Sequence, residues 1–206
     1  QQLVRRLGAH PPSVARHDGA MAIHITGDDA ADQVLEESPF ALLAGMMLDQ
    51  QFPMEAAFSG PAKVAERLGS VEPSAVADAD PEEFKELCAT PPAVHRFPGS
   101  MAARLQELAR IVVDTYDGDA SRLWSEAADA ADLKKRLTAL PGFGDQKARI
   151  FVALLAKQRD VRPAGWEEVA GDYAEDGYRS VADVTDPDSL LKVRAWKKEK
   201  KAAARG

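Results

Sequence analysis

Apolar residues recur along most of this chain at the spacing of helix faces. Leu133, Leu137 and Leu140 form one such series, and Ala148, Phe151, Val152 and Leu155 form another. Each predicts an amphipathic helix with one side on a core. Between them stands Leu140-Pro141-Gly142-Phe143-Gly144-Asp145-Gln146-Lys147-Ala148-Arg149. A Pro-Gly-x-Gly turn joining two helices predicts a hairpin whose second helix, over 145–157, starts with unpaired backbone amides. Both glycines can take positive φ and let another backbone come close.

The rest of the pattern is also helical. Ser38-Pro39 reads as the N-cap and first-turn proline of an apolar helix reaching Leu48. Pro53 restarts a helix that ends near Gly69. Pro73 to Ala79 and Pro81 to Cys88 read as two short helices, and Pro91-Pro92 breaks the chain. Ser100 opens a long helix to Tyr116, ended by Asp117-Gly118-Asp119, with further helices near 120–126 and 130–139. Asp28 and Asp29 are placed to cap a short helix through Glu36. The run 21–25 alternates weakly and suits a short strand or an extended lead-in, while 1–20 reads as an irregular arm. After Pro163-Ala164-Gly165 the periodicity weakens until a helix from Asp186 or Pro187 onward. The expected fold class is all-α. It divides into an N-terminal arm and short helix (1–37), a helical core (38–163) and a C-terminal extension with a basic helix (164–206), packed as one unit.

Composition narrows the class. Hydrophobic residues at 45% and charged residues at 29% suit a globular domain, and aromatics at only 6% imply a core of Ala, Leu and Val. No apolar run is long enough to cross a bilayer and no signal peptide is visible, so a cytoplasmic monomer is expected, nucleoid-associated if bacterial. With Cys88 as the one cysteine, these residues supply no ligand set for a four-cysteine metal or iron–sulfur site. His10, His17, His24 and His95 are scattered without zinc spacing, and no metal is expected.

The net charge of −7 argues against general nucleic-acid binding, but its distribution is bipolar. Lys134, Lys135, Arg136, Lys147 and Arg149 against Asp132 and Asp145 make 132–149 net +3. Seven lysines and arginines against Glu199 make 192–206 net +6. That tail is either a solvated helix end or half of a docking face. The hairpin, likewise, is either a plain helix connection or an anchor in which amides and helix dipole cradle a DNA phosphate. Such an anchor would position a duplex without reading its sequence.

The hairpin sequence resembles that of the helix-hairpin-helix superfamily of base-excision repair DNA glycosylases. Two more blocks support the resemblance. Phe40-Ala41-Leu42-Leu43-Ala44-Gly45-Met46-Met47-Leu48-Asp49-Gln50-Gln51, with Ala56-Ala57 and Val64 to Gly69, is similar to the family's helix–Gln loop–helix segment. Phe97-Pro98-Gly99-Ser100-Met101-Ala102-Ala103-Arg104-Leu105, with Leu108 to Val112, is similar to its middle helix. The blocks fall in family order over residues 38–163. The resemblance implies two helical lobes with a cleft between them, a double-stranded DNA partner carrying a damaged or modified base, and extrusion of that nucleotide before its glycosidic bond is cut. It implies no cofactor beyond a possible monovalent cation at the hairpin. Gln51 aligns with the family glutamine that enters the gap left by the extruded nucleotide. Gly142, Phe143, Gly144, Gln146 and Lys147 align with the DNA-gripping turn. Met47 and Trp166, with Phe97 and His95, are candidate walls of a base pocket.

Two departures stand out. The family's catalytic Asp falls here on Ala164 or Gly165, neither of which can stabilise charge on a sugar or activate a water. The lyase-competent members carry a Lys two positions after the second hairpin glycine, and here that residue is Gln146. Lys147 is adjacent, but one residue of helix turns a side chain by roughly 100°, so a hydrolytic enzyme without β-lyase activity is expected. Three readings of the missing Asp stay open: a relocated carboxylate, a DNA binder that does not cut, or a shifted alignment. For relocation the candidates are Glu167, Glu168, Asp172 and Asp49. Glu167 and Glu168 also read as dipole-stabilising surface acids at a helix start, and Asp49 as a cap for the helix near Pro53.

Overall fold

The structure is a computed structural model and describes residues 22–203. The arm expected over 1–20 lies outside the described residues, as does Met21. Among the described residues the regular elements are helices: α1 (Asp29–Glu37), α2 (Pro39–Leu48), α3 (Met54–Phe58), α4 (Gly60–Leu68), α5 (Pro73–Asp78), α6 (Pro81–Ala89), α7 (Pro98–Tyr116), α8 (Arg122–Ser125), α9 (Ala130–Thr138), α10 (Asp145–Gln158), α11 (Trp166–Ala170) and α12 (Pro187–Ala203), with 3₁₀ turns at Gly171–Tyr173 and Val181–Asp183. The strand considered for 21–25 does not form. Its described residues, 22–25, are not paired in a sheet; Ile23 and Ile25 are buried while the backbone of Ile25 and Thr26 donates to the Asp32 carboxylate.

Capping fixes several boundaries where the sequence places them. The Asp28 carboxylate accepts from the amides of Ala30 and Ala31 at the start of α1, and Ser38 Oγ accepts from Ala41 at the start of α2. The single helix expected from Pro53 to Gly69 is instead two. Ser59 interrupts it, and α4 begins at Gly60-Pro61, since Pro61 has no amide to continue the ladder of α3. Gly60 sits under Leu48 and Val94 so closely that a Cβ there would collide with the Leu48 side chain.

The first seven helices form one lobe. Nearly all of α2 is buried, and it packs on α1, α3, α4 and α7, while α5 and α6 lie along α7. Met101, Leu105, Leu108, Ala109 and Val112 supply the buried stripe of α7. The second lobe is built on α10, against which α9, α11 and both 3₁₀ turns pack. The buried amide of Gln158 reaches the carbonyls of Val181, Ala182 and Val184, and so pins the segment that carries α12. A continuous hydrophobic cluster joins the two lobes.

Candidate DNA-anchoring hairpin and its cleft

The α9–turn–α10 hairpin forms as the sequence predicts. Gly142 takes φ +77°, and a Cβ there would press on Met47 Cγ. Gly144 does not use that freedom. Its φ is −95° with extended ψ, so its value is not conformational freedom. It is the N-cap of α10, no side chain caps that end, and a Cβ built on it meets nothing. The open amide end of a four-turn helix thus faces outward beside a residue without a side chain, which suits close approach of an anion. Asp145, exposed on the first turn, pairs with Lys134 at 2.5 Å, and that hydrogen bond lowers its pKa. Phe143 is not available as a DNA-contacting side chain: it is buried and meets Phe151 edge to face at 6.0 Å. Only its backbone belongs to the turn.

A cleft of about 350 Å³ opens next to this end of α10. One wall is Gln146 and Arg149 of α10 with Asp172 and Tyr173 of the 3₁₀ turn; the other is Trp196, Lys197 and Lys200 of α12. All of these residues belong to the second lobe. The first lobe reaches the cleft through Asp49, 4.0 Å from the Lys197 ammonium, and Arg194 of α12 pairs with Glu55 of α3. Gln146 Nε2 donates to the Tyr173 hydroxyl at 2.8 Å, so the position of the family's lyase amine holds an amide already hydrogen-bonded across the cleft wall.

Chain topology explains where the candidate acids fall. The Ala164 carbonyl accepts from Ala130 at the start of α9, the end of the hairpin away from the turn. Gly165, with φ +77°, caps α11 there. The chain then runs back along α10. Arg149 Nε donates to the Val169 carbonyl, and its guanidinium passes so near Gly171, itself at φ +58°, that any side chain there would collide with it. Asp172 and Tyr173 therefore arrive beside Gln146. Of the four candidate carboxylates, Asp172 lines the cleft and Asp49 stands behind Lys197. Glu167 and Glu168 are exposed in the first turn of α11 and do not line it. Trp166 is also displaced from its candidate role. It is half-buried against the hydrophobic core, and Trp196 is the cleft tryptophan. Met47 is wholly buried beneath the hairpin and forms no wall of the cleft.

The Gln loop between α2 and α3 is held from below. Gln50 donates to the Met47 carbonyl at 3.0 Å and accepts from Arg104 at 3.2 Å. His95, buried, donates from Nε2 to the Gln50 carbonyl at 3.0 Å and accepts the Phe97 amide at Nδ1, which fixes the neutral tautomer; burial also lowers its pKa. His95 is thus a brace and not a pocket wall. Gln51 is exposed with φ +51°, a conformation costly for a residue with a Cβ. Lys147 crosses from α10 to this loop, donating to the Met47 carbonyl at 2.9 Å. Burial pushes its pKa down to about 8, partly opposed by Asp49. Cys88, also buried, has its thiol pushed up to about 12 by desolvation. One buried thiol does not match the four-thiolate set that an iron–sulfur cluster needs.

An outward helix N-terminus after a glycine turn between two helices, beside a cationic cleft, has the form of a helix-hairpin-helix element. The profile of the HhH-GPD superfamily base excision DNA repair proteins matches residues 44–205, and the chain belongs to that superfamily. No curated protein matches it. Among solved structures, a trapped endonuclease III–DNA covalent intermediate in an estranged-adenine complex aligns with 70% of this chain and 81% of its own, at 14% identity and a TM-score of 0.43.

Proposed function

We propose that this protein is a DNA glycosylase without lyase activity, hydrolysing the N-glycosidic bond of a damaged or modified base in duplex DNA. The observation that carries the reading is that the uncapped end of α10 and the cleft share Gln146: a phosphate held at the first lies one residue from the second. In this reading the amides of the hairpin fix one strand. The target nucleotide leaves the stack, which costs a few kcal/mol. Gln51, exposed on a braced loop, fills the gap and meets the orphaned partner base.

As the base departs, positive charge develops on the sugar. Asp172 stabilises it or activates the attacking water, with Asp49, 4.0 Å from Lys197 of the cleft, as the second acid. No Schiff base forms, because Gln146 offers an amide and Lys147 spends its ammonium on the Met47 carbonyl.

The test is incubation with duplexes carrying uracil, hypoxanthine, alkylated purines or oxidised bases. Strand breaks on at least one substrate are expected after alkali and not before it, with no borohydride-trapped adduct. Retained affinity for abasic DNA without breaks on any substrate supports a non-catalytic damage binder instead, a reading favoured by the absent Asp at Ala164 or Gly165. No DNA affinity at low salt overturns both.

A further inference from the structure

The cleft has a chemical bias of its own. Three cations line it, Arg149, Lys197 and Lys200, against one lining carboxylate, Asp172, with Asp49 4.0 Å from Lys197, so its lining is net positive. Both aromatic rings already have a cation near the face: Lys200 Nζ lies 5.2 Å from the Trp196 ring centre, and Arg149 Cζ lies 5.6 Å from that of Tyr173. A positively charged guest stacking on either ring would therefore meet a cation already placed against it. Arg149 is fixed by the carbonyls of Val169 and Ala170, so it cannot swing away cheaply.

The hydrogen-bonding inventory points the same way. Gln146 uses one of its two amide hydrogens on Tyr173 and keeps the other with its carbonyl oxygen, while the Tyr173 hydroxyl, having accepted that bond, has its own hydrogen to donate. With the two lysines, donors outnumber acceptors.

Building on the glycosylase reading of this cleft, we propose that it takes neutral, carbonyl-rich bases, such as deamination or oxidation produces, and rejects positively charged N-alkylated purines. Deamination replaces an amino donor by a carbonyl acceptor, which matches the surplus of donors. An N-alkylated purine brings a positive charge against three others.

Single-turnover excision of hypoxanthine, uracil and an oxidised base is compared with that of 7-methylguanine in the same duplex. The expected preference for one of the neutral lesions is at least about a hundredfold. Lys200→Met and Lys197→Met should each shrink that ratio at least about fivefold. Excision of 7-methylguanine at an equal or higher rate overturns the proposal. So does an equal slowing of all substrates by both lysine variants with a shallower salt dependence, because the lysines then serve phosphates.

A second measurement does not depend on catalysis. Tryptophan fluorescence is titrated with deoxyinosine, deoxyuridine and 1-methyldeoxyadenosine (cationic at neutral pH), with Trp196→Phe assigning the signal. Quenching by the neutral nucleosides alone, in a protein that cuts no duplex, keeps the cleft assignment and removes the glycosylase reading. Absence of the preference in both assays removes the cleft assignment.

Discussion

Lys147, in the first turn of α10, donates its ammonium to the main-chain carbonyl of Met47 2.9 Å away, at the end of α2. This bond ties the α9–α10 hairpin to the end of α2, just before the loop that carries Gln51. Replacing the lysine by methionine keeps most of the buried stem and removes the tie. Lys147→Met is expected to fold, with a stability change of about 1 kcal/mol, and to lose affinity for abasic-site DNA at least several-fold. Calorimetry and a binding titration on the same sample separate the two effects.

The same residue gives a pH signature. Its folded pKa, about 8, lies below its value of 10.5 in the unfolded chain because burial disfavours the charged form. Below pH 8 both states hold the proton and the native state bears the cost of a buried charge. As pH rises from 8 to 10.5 the native state sheds that proton first, and the cost is relieved. Denaturant titrations should show the wild type gaining stability relative to Lys147→Met across that window. A flat difference from pH 7 to 10.5 contradicts the buried placement.

The two hairpin glycines should separate cleanly. Gly142 needs its positive φ and has Met47 against it, so Gly142→Ala should destabilise by about 1–2 kcal/mol. Gly144 has ordinary backbone angles and open space, so Gly144→Ala should leave stability within about 0.5 kcal/mol. Its methyl group stands where a phosphate is to sit, and DNA affinity should fall several-fold. Thermal melts and binding curves for the pair decide whether the open end of α10 is the anchor.

Gln51 carries a positive φ on the surface. Gln51→Gly relieves that strain while making the unfolded chain more flexible, and the two effects are each of order 1 kcal/mol and opposed. Stability should stay nearly unchanged while single-turnover excision drops at least about tenfold. A variant with full excision shows that the loop amide does not enter the duplex.

Much of this was legible in the sequence because local chemistry sets it. Ser38-Pro39 and Asp28 place helix starts through their own side chains. Leu133, Leu137 and Leu140 place the hairpin against the core. Gln51 is placed by the short loop between α2 and α3. What was not legible depends on where the chain returns in space. The loop after α10 ties Ala164 to the start of α9, so the return to the hairpin comes later, at Gly171–Tyr173. Periodicity has no access to that delay, which is why Glu167 and Glu168 stood level with Asp172. Trp196 sits within a basic tail that reads equally as a solvated helix end, and tertiary contacts the sequence does not announce place it: buried Val193 and Ser189, the packing of α12 on the Val181–Asp183 turn, and the pairing of Arg194 and Lys197 with Glu55 and Asp49. The Pro53–Gly69 helix split at Gly60-Pro61, where Pro61 has no amide to continue α3, a local break that the apolar periodicity on either side obscured.

Among the carboxylates, Asp172→Asn should cost at least about a hundredfold in single-turnover excision, with Asp49→Asn also impaired. Glu167→Gln and Glu168→Gln, which change exposed side chains outside the cleft, should stay within about twofold of wild type. Activity that survives all four substitutions means that no relocated carboxylate is at work.

The most direct measurement is a crystal structure of the protein with a duplex containing a stable abasic-site analogue. The expected result has a phosphate of the damaged strand on the amides at Gly144–Gln146, the extruded sugar in the cleft with Asp172 or Asp49 nearest its C1′, and Gln51 in the gap of the duplex. A duplex bound to another face, with the hairpin free and the cleft empty of nucleotide, contradicts it.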